Sequence, residues 1–188
     1  MEKEANREKE IIRGCCRGKA RSQEALYRSY YAFGMSVCLR YAPNREDSLE
    51  ILNDSFMKVF ENIKSYDDSR PFKSWFRRIL VNTALDHYRI NRKFRINHTG
   101  DEDAAETGIA PELDQKLSAK EILELFYRLP DPLRLTFNLY EVEGYSHDEI
   151  AGMLDISPGT SRSNLSRAKK MLQRLYLEMK NKQCHEAV

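Results

Sequence analysis

The sequence has no apolar run approaching the roughly 18 residues that a membrane-spanning helix requires. It also lacks a charged-then-apolar signal segment at its N-terminus. These two absences argue against a membrane protein and against a secreted one. We therefore expect a cytoplasmic chain with no membrane insertion.

Cysteine is scarce and badly spaced for a metal centre. The four cysteines are Cys15, Cys16, Cys38 and Cys184. They form no spaced CxxC pair, and no histidine lies near them at a ligand spacing. Free thiols in a reducing compartment are predicted, with no metal and no cofactor, while a redox role for the adjacent Cys15 and Cys16 stays open.

The residue patterns of common enzymes are also missing. There is no glycine-rich phosphate loop. His87 and His147 fall within predicted helices, without a nucleophile or a carboxylate pair at catalytic spacing. No enzymatic activity is predicted, and His147 is expected to be a surface residue in the first turn of its helix.

The net charge of +2 says little about partners, but the charges are distributed in blocks. Basic residues concentrate in residues 70–95 and again in residues 157–182. Between them the stretch DEDAAETGIAPELD carries six acidic residues and no basic one. This distribution predicts contact with a polyanion at two places, although two solvated helix faces and a polar linker would produce it too.

Apolar periodicity predicts helices almost throughout. One predicted helix runs from Ser22 to Leu39, a second begins near Arg45, a third runs from about Phe72 to Arg92, and the pattern resumes at Leu117. The second has a predicted apolar face of Leu49, Leu52, Phe56, Val59, Phe60 and Ile63, and the fourth one of Ile122, Leu123, Phe126 and Leu129. We predict an all-α fold of two small helical domains, residues 20–96 and 117–182, joined by a flexible acidic linker, residues 97–116.

A helix-turn-helix is predicted near the C-terminus, in GYSHDEIAGMLDISPGTSRSNLSRAKKML. Ser146 and Glu149 have the spacing of a capping box at the start of the first helix. Asp155 and Ile156 supply the turn. Ser157 then caps the second helix, whose first position holds Pro158.

The start of that second helix carries side chains that suit a nucleic acid. Small residues allow the helix N-terminus to approach a phosphate, and the outward polar and basic ones can reach phosphates or base edges. These residues are Gly159, Thr160, Arg162, Ser163, Ser166 and Arg167. An ordinary helical hairpin with surface arginines is the alternative.

The stretch RPFKSWFRRILVN combines aromatic and basic residues on one helix. One predicted side holds Phe72, Phe76, Ile79, Leu80 and Ala84 and is explained as core. Another side holds Trp75, Arg78, Asn82, Asp86 and Arg89. An aromatic ring beside arginines and an amide is how unstacked bases are held, so a nucleic-acid site is predicted there.

Two long segments carry a family resemblance. NREDSLEILNDSFMKVFENIKSYDDSRPFKSWFRRILVNTALDHYRINRK resembles region 2, and YSHDEIAGMLDISPGTSRSNLSRAKKML resembles region 4, of the extracytoplasmic-function (ECF) group of sigma-70 family factors. The resemblance covers about residues 20 to 95 and 115 to 178, in the order of that family. It implies a sigma factor that binds core RNA polymerase and directs initiation at chosen promoters.

The resemblance also implies a role for each surface. Contact with the −35 element falls to Ser157, Gly159, Thr160, Arg162, Ser163, Ser166 and Arg167. Recognition and melting of the −10 element falls to Tyr66, Phe72, Lys73, Trp75, Arg78, Asn82 and Asp86. Docking on core polymerase falls to Asp47, Glu50, Asp54, Phe56, Val59 and Phe60. The implied partners are core polymerase, promoter DNA and an anti-sigma protein.

The sequence departs from the family pattern at three positions. Ser161 stands where an apolar residue is common, and Asn164 stands where an arginine is common, which implies one phosphate contact fewer. Asn53 replaces a common glutamine before the aromatic of the docking helix. The alternative function is a stand-alone helix-turn-helix regulator, which would not need the aromatic and basic helix.

Overall fold

The computed structural model describes residues 2–96 and 118–186. Within those residues all regular structure is helical, which confirms the predicted all-α fold of two helical parts. The chain divides into two compact units, Met1–His87 and Tyr88–Val188. The predicted linker, residues 97–116, lies outside the described residues, as does the predicted helix start at Leu117.

The first unit contains three helices and most of a fourth. They are α1 (Glu2–Cys16), α2 (Ala20–Tyr41), α3 (Arg45–Asn62) and α4 (Phe72–Ile96), with a 3₁₀ turn at Ile63–Ser65 after α3. The sequence patterns did not predict α1. It packs so closely on α2 that a Cβ atom on Gly14 would lie 2.0 Å from Ser22 Oγ. Gly18, with φ of 69°, reverses the chain between the two helices.

Aromatic rings fill the core of the first unit. Phe56, Phe72 and Phe76 are almost fully buried, and the Phe56 and Phe76 ring centroids are 4.8 Å apart. The helices approach so closely that a Cβ atom on Gly34 would lie 2.4 Å from Leu52 Cδ1. The prediction that Leu49 lies on the apolar face of α3 that packs in the core is wrong, because Leu49 is 39% exposed.

The second unit is built from three short helices and one long one. They are α5 (Ala119–Tyr127), α6 (Asp131–Phe137), α7 (His147–Leu154) and α8 (Pro158–Glu186), with a π-helical turn at Asn138–Val142 after α6. Ile122, predicted for the buried face of α5, is 40% exposed, and Leu125 is buried instead. Gly144 has φ of 80° and follows the π-helical turn before α7.

A buried arginine holds the turn between α5 and α6. The Arg134 side chain is 2% exposed, and its guanidinium lies 2.6 Å from the Asp131 carboxylate. It also donates to the carbonyl of Leu129 at 3.2 Å. These polar contacts compensate the burial of the charge. None of the helices in the described ranges is long and apolar enough to cross a membrane.

Candidate nucleic-acid and polymerase interfaces

The first helix of the predicted helix-turn-helix starts with the predicted capping box. The Glu149 backbone N–H donates to Ser146 Oγ at 3.3 Å, and the Ser146 backbone N–H donates to the Glu149 carboxylate at 2.8 Å. The Ser146 hydroxyl also lies 2.8 Å from the same carboxylate. The Ser146 backbone N–H and hydroxyl stabilise the charged carboxylate, so the pKa of Glu149 is lowered from its ordinary 4.5. The start of α7 is therefore fixed by residues that are all visible in the sequence.

The turn between α7 and α8 is equally well defined. Asp155 adopts the left-handed conformation, with φ of 55°, and the Ile156 N–H donates to the carbonyl of Ala151 at 3.1 Å. The Thr160 N–H then donates to Ser157 Oγ at 3.0 Å, and α8 begins at Pro158. The turn at Asp155 and Ile156, the Ser157 cap and the start of α8 at Pro158 were predicted and are confirmed.

The start of α8 gathers all seven residues predicted to contact the −35 element within three turns of helix. Six are exposed, namely Ser157, Gly159, Thr160, Arg162, Ser163 and Ser166, and Arg167 is half-buried. A Cβ atom on Gly159 would meet only Ser157 Oγ, at an ordinary 3.6 Å. The fold therefore does not require glycine at this position. Space for an approaching ligand is the explanation that remains. We name this set the α8 surface.

Two neighbouring positions correct the sequence interpretation. Ser161 is fully buried and Asn164 is 8% exposed, so Asn164 does not occupy an outward phosphate-contacting position. Ser161 Oγ lies 2.9 Å from His147 Nδ1, and the His147 ring stacks on Tyr140 with centroids 4.5 Å apart. His147 was expected on the surface, but it is half-buried and joins α7 to α8.

In the first unit, an aromatic cluster lies where α4 meets the loop before it. The ring centroids of Tyr66 and Trp75 are 5.3 Å apart, and both rings contact Phe72, at 5.5 and 5.6 Å. The Tyr66 hydroxyl donates to the carbonyl of Arg70 within the loop. Phe72 is 2% exposed, so the direct DNA contact expected of it is corrected to a supporting position beneath the two other rings.

The outward side of α4 continues from this cluster. Lys73, Arg78 and Asn82 are exposed, and Trp75 is half-buried. Asp86 is engaged by Lys58 of α3, with Nζ 3.0 Å from the carboxylate. We name the set formed by Tyr66, Lys73, Trp75, Arg78, Asn82 and Asp86 the α4 surface. It combines two aromatic rings, two cations, an amide and a carboxylate, and four of its members, Trp75, Arg78, Asn82 and Asp86, belong to the helix face predicted from the sequence.

The polymerase-docking residues divide between the surface and the core of the first unit. On α3, Glu50 and Asp54 are exposed, and Asp47 and Phe60 are half-buried. Phe56 and Val59 are 2% and 0% exposed. The direct contact with polymerase expected of them is therefore corrected to a position in the core. Their burial follows from helical periodicity, which points them towards the aromatic core.

A carboxylate and histidine group lies on the same face. The Asp54 carboxylate is 2.7 Å from His87 Nε2. The potential ligand atoms of Glu50, Asp54 and His87 lie within 4.8 Å of one another, close enough to share a divalent cation. The hydrogen bond between Asp54 and His87 also accounts for their proximity without a metal.

The cysteines of α1 and α2 have the character of core thiols. Burial is the main cause that raises the pKa of Cys15 to about 11 and that of Cys38 to about 12. The Cys16 thiol donates to the carbonyl of Ile63 at 3.7 Å. Because the thiolate is the reactive form, Cys15 and Cys38 are poorly suited to redox chemistry in this fold.

Comparison with known proteins assigns both halves of the sequence. The chain matches the family model for Sigma-70 region 2 over residues 26–94 and that for Sigma-70 region 4 over residues 119–172, together more than half of its length. A fold of two helical units, one with a helix-turn-helix, and these paired matches define a promoter-binding class of protein.

Relatives with curated names agree with this assignment. The chain is 28% identical over 141 residues to the ECF RNA polymerase sigma-E factor of Haemophilus influenzae, covering 69% of this chain and 75% of that protein. It is 29% identical over 150 residues to the ECF RNA polymerase sigma-E factor of Escherichia coli, covering 73% of this chain and 77% of that protein.

Among solved structures, the chain is similar to the sigma factor RpoE of Bartonella quintana, described in complex with the anti-sigma factor NepR. The identity is 19% and the TM-score 0.49, over 81% of this chain and 95% of that one.

The chain belongs to the ECF group of the sigma-70 family. It is a sigma factor that directs RNA polymerase to promoters, and the alternative of a stand-alone regulator is not favoured. Sigma factors of this kind are initiation factors rather than enzymes.

Proposed function

We propose that the two units divide promoter recognition between them. The first unit docks on core polymerase through α3 and captures the −10 element with the α4 surface, and the second reads the −35 element with the α8 surface. One observation carries this proposal: the chain that holds the helix-turn-helix also presents clustered aromatic rings beside exposed cations and an amide on α4. A duplex-binding regulator has no need of such a face.

The chemistry of the α4 surface suits an unpaired strand. Stacking on an aromatic ring holds a base without duplex geometry. Tyr66 and Trp75 are only half-buried, and they are held in place by Phe72 beneath them. Lys73 and Arg78 can bind the adjoining phosphates, and Asn82 can hydrogen-bond a base edge. Because Asp86 is paired with Lys58, its proposed part is to orient that cation and neighbouring polar groups.

The chemistry of the α8 surface suits a duplex. The positive end of a helix dipole attracts phosphate, and Gly159 leaves the start of α8 unobstructed. Arg162 and Ser163 come next along the helix, within reach of base edges in a major groove. The connection between α7 and α8 through His147 and Ser161 would keep the recognition helix at a fixed angle.

Docking on polymerase is proposed for the exposed acidic side of α3. Glu50 and Asp54 present carboxylates one helical turn apart, with Asp47 and Phe60 at either end. Phe56 and Val59 are left out of the contact and support α3 from inside. Opposite charge on polymerase would steer the encounter and fix its register.

Further parts of the proposal follow from membership of the family. We infer region 2 for residues 20–96 and region 4 for residues 117–182, with residues 97–116 as linker. Work at the polymerase implies a cytoplasmic location, no catalytic activity of the chain itself and no cofactor. An anti-sigma protein that holds the free factor is the further partner we propose.

Reconstituted transcription tests the proposal. The purified full chain is added to sigma-free core polymerase on a library of genomic promoter fragments, and start sites are mapped. Defined start sites that require the protein are expected, with shared −10 and −35 sequences upstream. Absence of such start sites, together with tight duplex binding by the protein alone, would instead identify a stand-alone regulator.

A further inference from the structure

The N-terminal helix α1 reaches the loop that precedes α4. A cleft of about 120 Å³ has α1 as one wall and the loop as the other. Its polar lining consists of Glu8, Lys9 and Arg13 from α1, and of Tyr66, Asp68 and Arg70 from the loop. Because α1 precedes the segment matched to region 2, which begins at residue 26, the resemblance to the family assigns it no part in DNA recognition.

One hydrogen bond connects α1 to the aromatic cluster. The hydroxyl of Tyr30, on α2, donates to the Glu8 carboxylate. The Tyr30 ring packs edge-on against Phe72, with centroids 4.8 Å apart, and against Phe76 at 5.9 Å. Burial first, and then Glu8, raises the pKa of Tyr30, so its hydroxyl remains a donor.

Phe72 connects Tyr30 to the α4 surface. Its ring contacts Tyr66 at 5.5 Å and Trp75 at 5.6 Å. The order of contacts is therefore Glu8, Tyr30, Phe72, and then the two half-buried rings proposed to hold a base. Packed cores transmit such displacements because they contain little free space.

We propose that α1 belongs to the protein surface that recognises the −10 element. In this surface Glu8 is a positioning residue, which holds Tyr30 against Phe72 and thereby fixes Tyr66 and Trp75. The role in promoter opening rests on the proposed function, whereas the positioning itself does not. Lys9 and Arg13 complete this surface, because they place two cations across the cleft from Arg70. A DNA strand that follows the loop would pass between them.

The first readout needs no promoter. Trp75 is the only tryptophan in the chain, so its fluorescence reports on the aromatic cluster in the free protein. Glu8→Ala and Tyr30→Phe should each shift the Trp75 emission and increase its quenching by acrylamide. Glu8→Gln, which keeps an acceptor, should resemble the wild type. Glu10→Ala, an exposed change on the same helix, is the matched control and should have no effect.

The second readout is the rate of promoter opening by the holoenzyme. Loss of one hydrogen bond should slow opening about three- to tenfold in Glu8→Ala and in Tyr30→Phe, with initial duplex binding and polymerase affinity unchanged. The double variant should be no slower than the slower single variant. Should Glu8→Ala fold poorly, Tyr30→Phe, which keeps the buried ring, carries the test alone.

The outcomes separate the two proposals. Unchanged Trp75 fluorescence and unchanged opening in both variants would overturn the positioning role of Glu8, even if the wild type initiates normally. Equal losses in polymerase affinity and in opening would mean that α1 only stabilises the fold of the first unit. This result would also overturn the positioning role of Glu8. If the wild type opened no promoter while the Trp75 signal still responded to Glu8→Ala, the positioning would stand and the proposed function would fail.

Discussion

The two units present their candidate DNA-contacting residues by different physical means. In the first unit, the α4 surface rests on packed aromatic rings, with Phe72 beneath Tyr66 and Trp75. In the second, short helices are oriented by polar contacts, among them the capping box of Ser146 and the buried ion pair of Arg134. One surface depends on van der Waals packing and the other on hydrogen bonds with definite directions.

The difference matches the two proposed ligands. An unpaired base needs a rigid platform of rings, and a ring held by other rings on its inner side keeps its outer face free for stacking. A duplex groove needs a helix at a set angle, and caps and turns set that angle within a few residues. Changes that remove packing and changes that remove polar contacts should therefore impair different steps of initiation.

The largest effect is expected from Arg134→Ala. Removing the guanidinium breaks the ion pair with Asp131 and the hydrogen bond to the carbonyl of Leu129, which should destabilise the second unit by roughly 3 kcal/mol. Hydrogen-exchange protection should fall in α6 to α8 and remain in α2 and α3. Arg128→Ala removes a more exposed pair, 3.0 Å from Glu178, and is the control. Equal loss of protection in both units would contradict this separation.

Trp75→Ala should come next. Removing a stacking ring is worth about 1–3 kcal/mol per base, so promoter opening should slow on the order of tenfold while closed-complex affinity persists. Permanganate reactivity of the −10 region measures the opening. The control is Tyr31→Ala, which removes a ring of α2 that is half-buried like Trp75 but lies outside the α4 surface, and it should leave opening unchanged. If closed-complex binding and opening fell equally, Trp75 would be a core residue only.

Arg162→Ala should weaken binding to −35 duplex without affecting opening of a premelted promoter. If Arg162 contacts a phosphate, the slope of log affinity against log salt concentration should decrease by about one. Arg174→Ala removes another exposed cation of α8 that lies beyond the α8 surface, and its slope should stay as in the wild type. An unchanged slope and affinity for Arg162→Ala would remove this residue from the interface.

The smallest effect concerns the capping box of α7. Ser146→Ala should lower stability by about 1 kcal/mol at neutral pH. Because the folded pKa of Glu149 is depressed below 4.5, the carboxylate stabilises the fold above that pH, and this contribution disappears as pH falls through the folded value. The melting-temperature difference between wild type and Ser146→Ala should therefore narrow as the pH falls below 4.5. Ser29→Ala on α2 should show no such trend.

The sequence alone predicts features that depend on neighbouring residues. The capping box, the Asp155 turn and the start of α8 at Pro158 follow from side chains a few positions apart. Burial was harder to predict, because it depends on tertiary contacts. Phe72 has the chemistry of a stacking residue, yet Tyr30 and Phe76 enclose it, and Asn164 lies inside the helix-turn-helix.

Features missed altogether have a weak local signal. In α1 the stretch REKEIIRGCC alternates charges with few apolar residues, and its burial on α2 becomes evident only from the close approach at Gly14. The π-helical turn at Asn138–Val142 has no signature in the periodicity. The contact of His147 with Ser161 spans 14 positions and joins two helices, beyond the range of any pattern within one helix.

The most direct test of the division of labour compares two variants on two DNA fragments. Holoenzymes with Trp75→Ala or Arg162→Ala are titrated against a −35 duplex and against a fragment premelted at the −10 element. Our account predicts that Trp75→Ala loses affinity only for the premelted fragment and Arg162→Ala only for the duplex. If each variant lost affinity equally for both fragments, the two surfaces would not act separately and the account would be wrong.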